Sequence, residues 1–476
     1  MKKILIISTF LLILIGLLIR NYHYHQVLFL DWDEGIYAQI AHEIIKNKTL
    51  ITTFNNQLWL NKPPLSHLLT AFSFLIFQES EFYSRLVMVF LSFILLILLF
   101  FLTQKLFKKE IASLISVLVV SATPIFLERA TMLNSDLLVA ISWLGYFLFW
   151  EKYWLKLFFL TIGVWSKSVL GFYPLIFEVV YYLINVDKLK TKINWKNLLL
   201  LILFLLIPSL WYLFLYFRFG NEFINDHFLS QIFKRLYFPI ELHFGNKFFY
   251  FNYLFEKLTF INFFIIFGYF HFLIHWEKEL KNQRRLLIFL SPLPFLALLT
   301  IAKTKIDWYV IIFLPLLTIP ISYLYTRSQS VFIKNLVFLS SVFFFIVNFF
   351  PQTYFFQINY QKPEKLALAL CLRKESFKKL GFLVDDQERR NRQFLEATHY
   401  ETNSSFYYGG SLSFVYYLNK PVEFFYQPEQ FVNEYKKFDM IALSKIDYQQ
   451  LKDKINKRQT KKIDCWTKDW LTFQIK

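Results

Sequence analysis

The hydrophobic positions of this chain fall in runs of about 15 to 22 residues, each bounded by Lys, Arg, Asn or Pro. At ~1.5 Å per helical residue, such runs cross or nearly cross a hydrocarbon core of ~30 Å. Eleven spans are predicted, at 4–19, 86–104, 111–127, 137–150, 155–166, 169–185, 197–217, 249–275, 286–302, 309–325 and 331–350. The first follows Lys2 and Lys3 as a signal peptide's apolar region would, but Arg20-Asn21-Tyr22-His23 stands where a small-residue cleavage site is needed, so a retained helix is expected. Continuous Leu, Ile and Phe exclude an outer-membrane barrel, whose strands alternate over roughly ten residues. Beyond 351 the pattern changes: short apolar runs at 412–418 and 440–443 lie between polar helical stretches. The expectation is a polytopic α-helical membrane domain over 1–350 and a small α/β domain over 351–476.

Composition agrees with that pattern. Hydrophobic residues make up 56% of 476 positions and charged residues 18%, against roughly 25% charged in soluble proteins, so a soluble enzyme is excluded. The net charge of +18 would raise the question of nucleic acid in a soluble protein, and here its location answers it. Of the 31 basic residues before position 351, 17 sit in the short segments 2–3, 105–109, 151–156, 186–196, 276–285 and 326–334. Basic loops stay cytoplasmic. The N-terminus is therefore expected inside, while the first loop (20–85), the 218–248 loop, the turns near Asp136, Lys167 and Lys305, and the C-terminal domain face the outer side. Cys371 and Cys465 form one disulfide if their domain is extracytoplasmic, or remain two thiols.

Ionisable residues at the outer side are where chemistry is expected. The first loop carries Asp31-Trp32-Asp33-Glu34, followed by Ile36, Tyr37, Ile40, Ala41, Ile44 and Ile45 at helical spacing, which predicts a helix along the membrane surface. Asp31 with Glu34 reads as a capping-box-like pattern, and acids suit a helix N-terminus for structural reasons alone. In Asn61-Lys62-Pro63-Pro64-Leu65 the prolines hold an extended backbone, and Lys62 is either a phosphate ligand or a snorkelling side chain. Asp136 and Lys167 mark outer turns; Lys234-Arg235 and Lys303-Thr304-Lys305-Ile306-Asp307-Trp308-Tyr309 add cations on the same side. Together they suit a lipid-phosphate donor: cations hold the phosphate as leaving group and a carboxylate takes the acceptor's proton.

In order, Asp33-Glu34-Gly35-Ile36-Tyr37-Ala38 with Ile40-Ala41, Lys62-Pro63-Pro64-Leu65, Arg129 through Asp136, Ser166-Lys167 and Lys305 through Tyr309 resemble the signature of the aminoarabinose-transferase and protein-mannosyltransferase-like (ArnT/PMT) glycosyltransferases of the GT-C membrane fold. Phe406-Tyr407-Tyr408-Gly409-Gly410 and Tyr417-Leu418-Asn419-Lys420-Pro421-Val422 resemble their extracytoplasmic C-terminal domain. The resemblance implies an inner-membrane enzyme that moves a sugar from a polyprenyl phosphate, such as undecaprenyl phosphate, to an acceptor on the outer side. It implies catalytic roles for Asp33 and Asp136, with Glu34 and Tyr37 in support. It also implies a phosphate site of Lys62, Arg235 and Tyr309, with Lys167 and Lys305 nearby. Asn61 and Gln231 stand where relatives often have Glu and His, so a divalent metal is doubtful; an amide is a poor zinc ligand. The rival is a flippase for an anionic lipid-linked glycan, which predicts paired broken helices and mid-membrane polar residues. The spans are instead nearly uniform Leu, Ile and Phe.

Overall fold

The computed structural model describes residues 2–185, 195–397, 409–455, 460–465 and 467–475. Residues 186–194 of the basic 186–196 segment, and Phe406, Tyr407 and Tyr408 of the C-terminal motif, lie outside the described residues.

Seven described helices are long and apolar enough to cross a membrane, among them Glu81–Phe107, Leu199–Phe219, Asp307–Arg327 and Val331–Thr353, and two further helix pairs pass the same test as bent spans. Their outward side chains are apolar, as at Phe90, Ile94 and Phe101, which suits a protein solvated by lipid. This is a multi-pass α-helical membrane protein. Two stretches depart from the expected straight spans, each for a local reason, and a third breaks near Lys167, where two spans were expected to meet. Glu110–Ser121 meets Pro124–Ala130 at 74°, because Pro124 starts a new helix where it can lack an N–H donor. Phe249–Leu258 meets Ile261–Ile274 at 113°, through Thr259 at φ +47°. Within Tyr153–Ile184, Ser168 at φ +55° turns the chain back, so that Gly171 lies against the Gly163–Val164 backbone; a Cβ there would sit 2.1 Å from the Val164 nitrogen. That tight reversal puts Lys167 at its apex.

The first long loop is a folded unit. The helix Asp33–Asn47 is followed by a short hairpin, β1 (Thr53–Phe54) and β2 (Gln57–Leu58), and then by the helix Leu65–Ile76. The expected surface helix exists, but it is covered on both sides: its residues from Glu34 to Ala41 are buried, between Leu65–Ile76 and the C-terminal helix Leu412–Leu418.

After the last apolar helix the chain builds a five-stranded sheet from β3 (Leu380–Leu383), β4 (Val422–Phe425), β5 (Met440–Ser444), β6 (Thr460–Ile463) and β7 (Trp470–Ile475), in the order β4-β3-β5-β7-β6. Strand β3 is parallel to β4 and β5, while β7 is antiparallel to β5 and β6. Buried β3 and β5 read as continuous apolar runs, as central parallel strands do. Cys371 and Cys465 are joined as a disulfide, with Cα atoms 5.6 Å apart, which ties the helix Glu364–Lys374 to the segment after β6.

The sheet domain grips the first loop directly. Asp31 accepts hydrogen bonds from the Ser413 amide at 3.0 Å and the Ser411 hydroxyl at 3.2 Å. Ser413 Oγ donates to the Leu30 carbonyl at 3.0 Å, and Asn55 Nδ2 donates to the Val422 carbonyl at 2.8 Å. Gly35 allows this approach: a Cβ there would meet the Ser413 backbone at 2.7 Å. Gly35→Ala is therefore expected to push the Leu412–Leu418 helix off the first loop at a cost of about 1–3 kcal/mol. Thermal unfolding in detergent and protease sensitivity of the 409–455 region would show it; an unchanged melting temperature would contradict the packing.

Candidate active site

Two flanking anchors place Asp33. On its N-terminal side Asp31 is held by the serines of the C-terminal domain; on its C-terminal side Glu34 turns inward to Arg85. Glu34 Oε2 accepts from Arg85 Nη2 at 2.6 Å and from the Leu30 amide at 3.0 Å, and Oε1 accepts from Arg85 Nε at 2.9 Å and the Leu133 amide at 3.0 Å. Arg85 also donates to the carbonyls of Tyr24, Val27 and Leu28. The expected capping box is thus not formed, because both acids are engaged by partners far along the chain. Between them Trp32 has φ +70° and ψ −111°, a sparsely populated conformation for a residue with a Cβ. The strained turn aims Asp33 away from Glu34.

Asp33 pairs with Lys62, whose ammonium also donates to the Tyr37 hydroxyl at 3.2 Å. Tyr37 in turn donates to Ser135 Oγ at 3.4 Å, next to Asp136, and Asp136 pairs with Lys167. The Lys167 ammonium lies 3.8 Å from the centre of the Tyr309 ring. Arg235 joins from the 218–248 loop; it faces Tyr309 and Asp33 electrostatically and pairs with Glu241 at 2.7 Å. The structure thus brings together Asp33, Tyr37, Lys62, Asp136, Lys167, Arg235 and Tyr309. Two of the residues expected with them face elsewhere. Glu34 lies in the buried pair with Arg85. Lys305 donates from Nζ to the carbonyls of Leu299 and Thr300, at 2.9 and 2.7 Å, where an ammonium complements the negative end of the helix Pro292–Ile301.

Electrostatics set the protonation states. Burial alone would raise the Asp33 carboxyl, but the Lys62, Arg129 and Lys167 charges outweigh it and hold it below the usual carboxylate range. It is ionised at neutral pH, as a base must be. Burial opposes the charge on Lys62 as well, yet Asp33 and Tyr37 hold its ammonium above the ordinary lysine value. Burial and the adjacent Asp33 charge push Tyr37 up to about 12, so it stays a neutral hydroxyl.

Two residues at the site are not singled out by the sequence, Arg129 and Glu241. Arg129 is buried, 4.8 Å from the Trp308 ring centre, and acts on both Asp33 and Asp136. Only its place inside a motif signalled it. Glu241 gave no signal, since a lone glutamate in a loop is ordinarily solvated. Among the described residues, no three His, Cys, Asp or Glu side chains gather as a metal site. Gln231, where relatives often have His, accepts a hydrogen bond from Arg235 at 3.3 Å. The donor set does not fit a divalent metal.

Comparison with known proteins places the chain. Residues 61–212 match the family described as dolichyl-phosphate-mannose-protein mannosyltransferase. Two uncharacterized proteins of Aquifex aeolicus (strain VF5) are each 28% identical, one over 345 residues (69% of this chain and 66% of the relative), the other over 301 (63% and 68%). Among solved structures, the fold is similar to that of ArnT from Cupriavidus metallidurans bound to undecaprenyl phosphate, with a TM-score of 0.67 and 13% identity over 99% of this chain and 97% of that one. An oligosaccharyltransferase of Archaeoglobus fulgidus gives 0.51 and 11% over 91% and 69%. The fold is that of GT-C membrane proteins. With the match over 61–212, the chain resembles their ArnT/PMT-like glycosyltransferases.

Proposed function

We propose that this protein is an inverting glycosyltransferase of the inner membrane that takes a sugar from a polyprenyl phosphate, of which undecaprenyl phosphate is the model, and delivers it to a lipid, glycan or protein acceptor on the outer side. The observation that carries the reading is the meeting of two carboxylate–lysine pairs, Asp33–Lys62 and Asp136–Lys167, with Arg235 and Tyr309 beside them. That arrangement supplies a base and an anion site at one place. The ArnT structure described as bound to undecaprenyl phosphate supports the donor class. The Cys371–Cys465 disulfide supports an extracytoplasmic C-terminal domain, because disulfides persist in oxidising compartments. Together with the basic loops, it supports a cytoplasmic N-terminus.

In the proposed step the acceptor oxygen bonds to the anomeric carbon as its proton passes to Asp33. The carbon–oxygen bond to phosphate breaks, and its electron pair stays on the carrier phosphate, whose charge is countered by Lys62 and Arg235 and which accepts a hydrogen bond from the Tyr309 hydroxyl. Asp136 orients Lys167, and the adjacent Ser135 receives the Tyr37 hydroxyl. The donor is already activated, so the chemistry requires no nucleotide.

Lys62→Ala tests the phosphate site. It removes one charge-assisted contact, worth about 1.5–3 kcal/mol, so binding of undecaprenyl phosphate to the purified protein in detergent should weaken roughly tenfold to a hundredfold. Unchanged affinity would remove Lys62 from the site.

A further inference from the structure

The cations at the site face carboxylates, and two of these pairings have a role in the proposed chemistry: Asp33 on Lys62 and Asp136 on Lys167. Glu241 on Arg235 has none. Yet Glu241 is held in place deliberately. Its backbone takes φ +59° and ψ +35°, the left-handed region that residues with a Cβ seldom occupy. The loop around it is fastened to the 303–305 segment. The Thr304 amide donates to the Arg235 carbonyl at 3.2 Å, the Ile240 amide to Thr304 Oγ1 at 3.1 Å, and the Lys305 amide to the His243 carbonyl at 3.1 Å. Both partners are largely shielded from water, with Arg235 16% and Glu241 11% exposed. The Glu241 carboxylate faces Lys62 and His243 as well as Arg235. It therefore stands among the cations assigned to the carrier phosphate.

Resting on the glycosyltransferase reading, we propose that Glu241 is an exchangeable counter-anion: it holds Arg235 between turnovers, gives it up to the donor phosphate, and then expels the carrier phosphate once the sugar has left. The chemistry supplies the reason for such a device. A sugar-phosphate donor is a phosphodiester with one negative charge, whereas the released carrier is a phosphomonoester, whose second ionisation near pH 6 gives it almost two. A cation cluster built to stabilise the leaving phosphate binds the product more tightly than the donor. A fixed carboxylate at the same place repels the extra charge and so favours release. Glu241 thus sets the discrimination between donor and spent carrier. It is a positioning and selectivity residue and touches no reacting carbon.

The test compares binding of undecaprenyl phosphate with that of its methyl ester, which carries a single charge as the donor does, to the purified full-length protein in detergent. In Glu241→Gln the monoester should bind about tenfold or more tightly than to wild type while the diester changes much less, the scale of one added like-charge contact at a shielded site. Glu241→Asp, which keeps the charge, should retain the wild-type ratio. Weaker or unchanged monoester binding in Glu241→Gln would make Glu241 a mere support for Arg235 and overturn the proposal. The same ratio change in Glu241→Asp would also overturn it, since geometry and not charge would be the cause. If wild type bound neither lipid, the glycosyltransferase reading would fall along with this one; if it bound both and Glu241→Gln left the ratio alone, only the counter-anion would fall.

Discussion

Asp33→Asn should cut sugar transfer by about 10²–10⁴-fold, the range a positioned general base contributes, while leaving the protein folded and inserted. Asn keeps the volume and can still accept from Lys62, but it cannot take the acceptor's proton. The variant is informative because its structural neighbours do not depend on that carboxylate: Asp31 is anchored by Ser411 and Ser413, and Glu34 by Arg85. Activity is best read in cells, by mass spectrometry of envelope lipids, glycans and glycoproteins in strains carrying wild type, the variant or neither. The sugar lost without the protein should be lost with the variant too. Restoration of the full signal by the variant would remove Asp33 from catalysis.

The largest effect on stability is expected at Glu34. Its ion pair with Arg85 is fully enclosed, at 1% and 0% exposure. Removing one member of such a pair leaves an uncompensated buried charge and costs about 3–5 kcal/mol. Glu34→Ala should therefore lower the melting temperature sharply and disorder the turn that aims Asp33, with transfer lost as a secondary result. Replacing both members with apolar residues should recover only part of the loss, because Arg85 also serves the carbonyls of Tyr24, Val27 and Leu28, which would then lack a donor. A melting temperature within a degree or two of wild type for Glu34→Ala would show that water reaches the pair.

The contrast between Asp33 and Glu34 shows where reading the chain succeeds and where it stops. Adjacent acids at a helix start look alike in sequence, and a capping role suits either. In the structure one faces a lysine 29 residues away and the other an arginine 51 residues away; the strained Trp32 just before them gives no sequence signal. Lys62 and Lys305 diverge in the same way. Both are lysines near a helix end, but Lys62 meets a carboxylate while Lys305 meets backbone carbonyls. Which occurs depends on what the fold places within reach of a flexible ammonium.

By itself the sequence determined the solvent, the helical class and the polar face. Long apolar runs have no stable place outside lipid, and a charge cannot be left among them without a partner. The tertiary structure alone decided which charge answers which. Asp31 is held by serines some 380 residues later in the chain, Glu34 by an arginine on the next apolar helix, and Arg235 by a glutamate in a left-handed turn. A Coulomb pair depends on distance and on exclusion of water, and neither is fixed until the chain is folded.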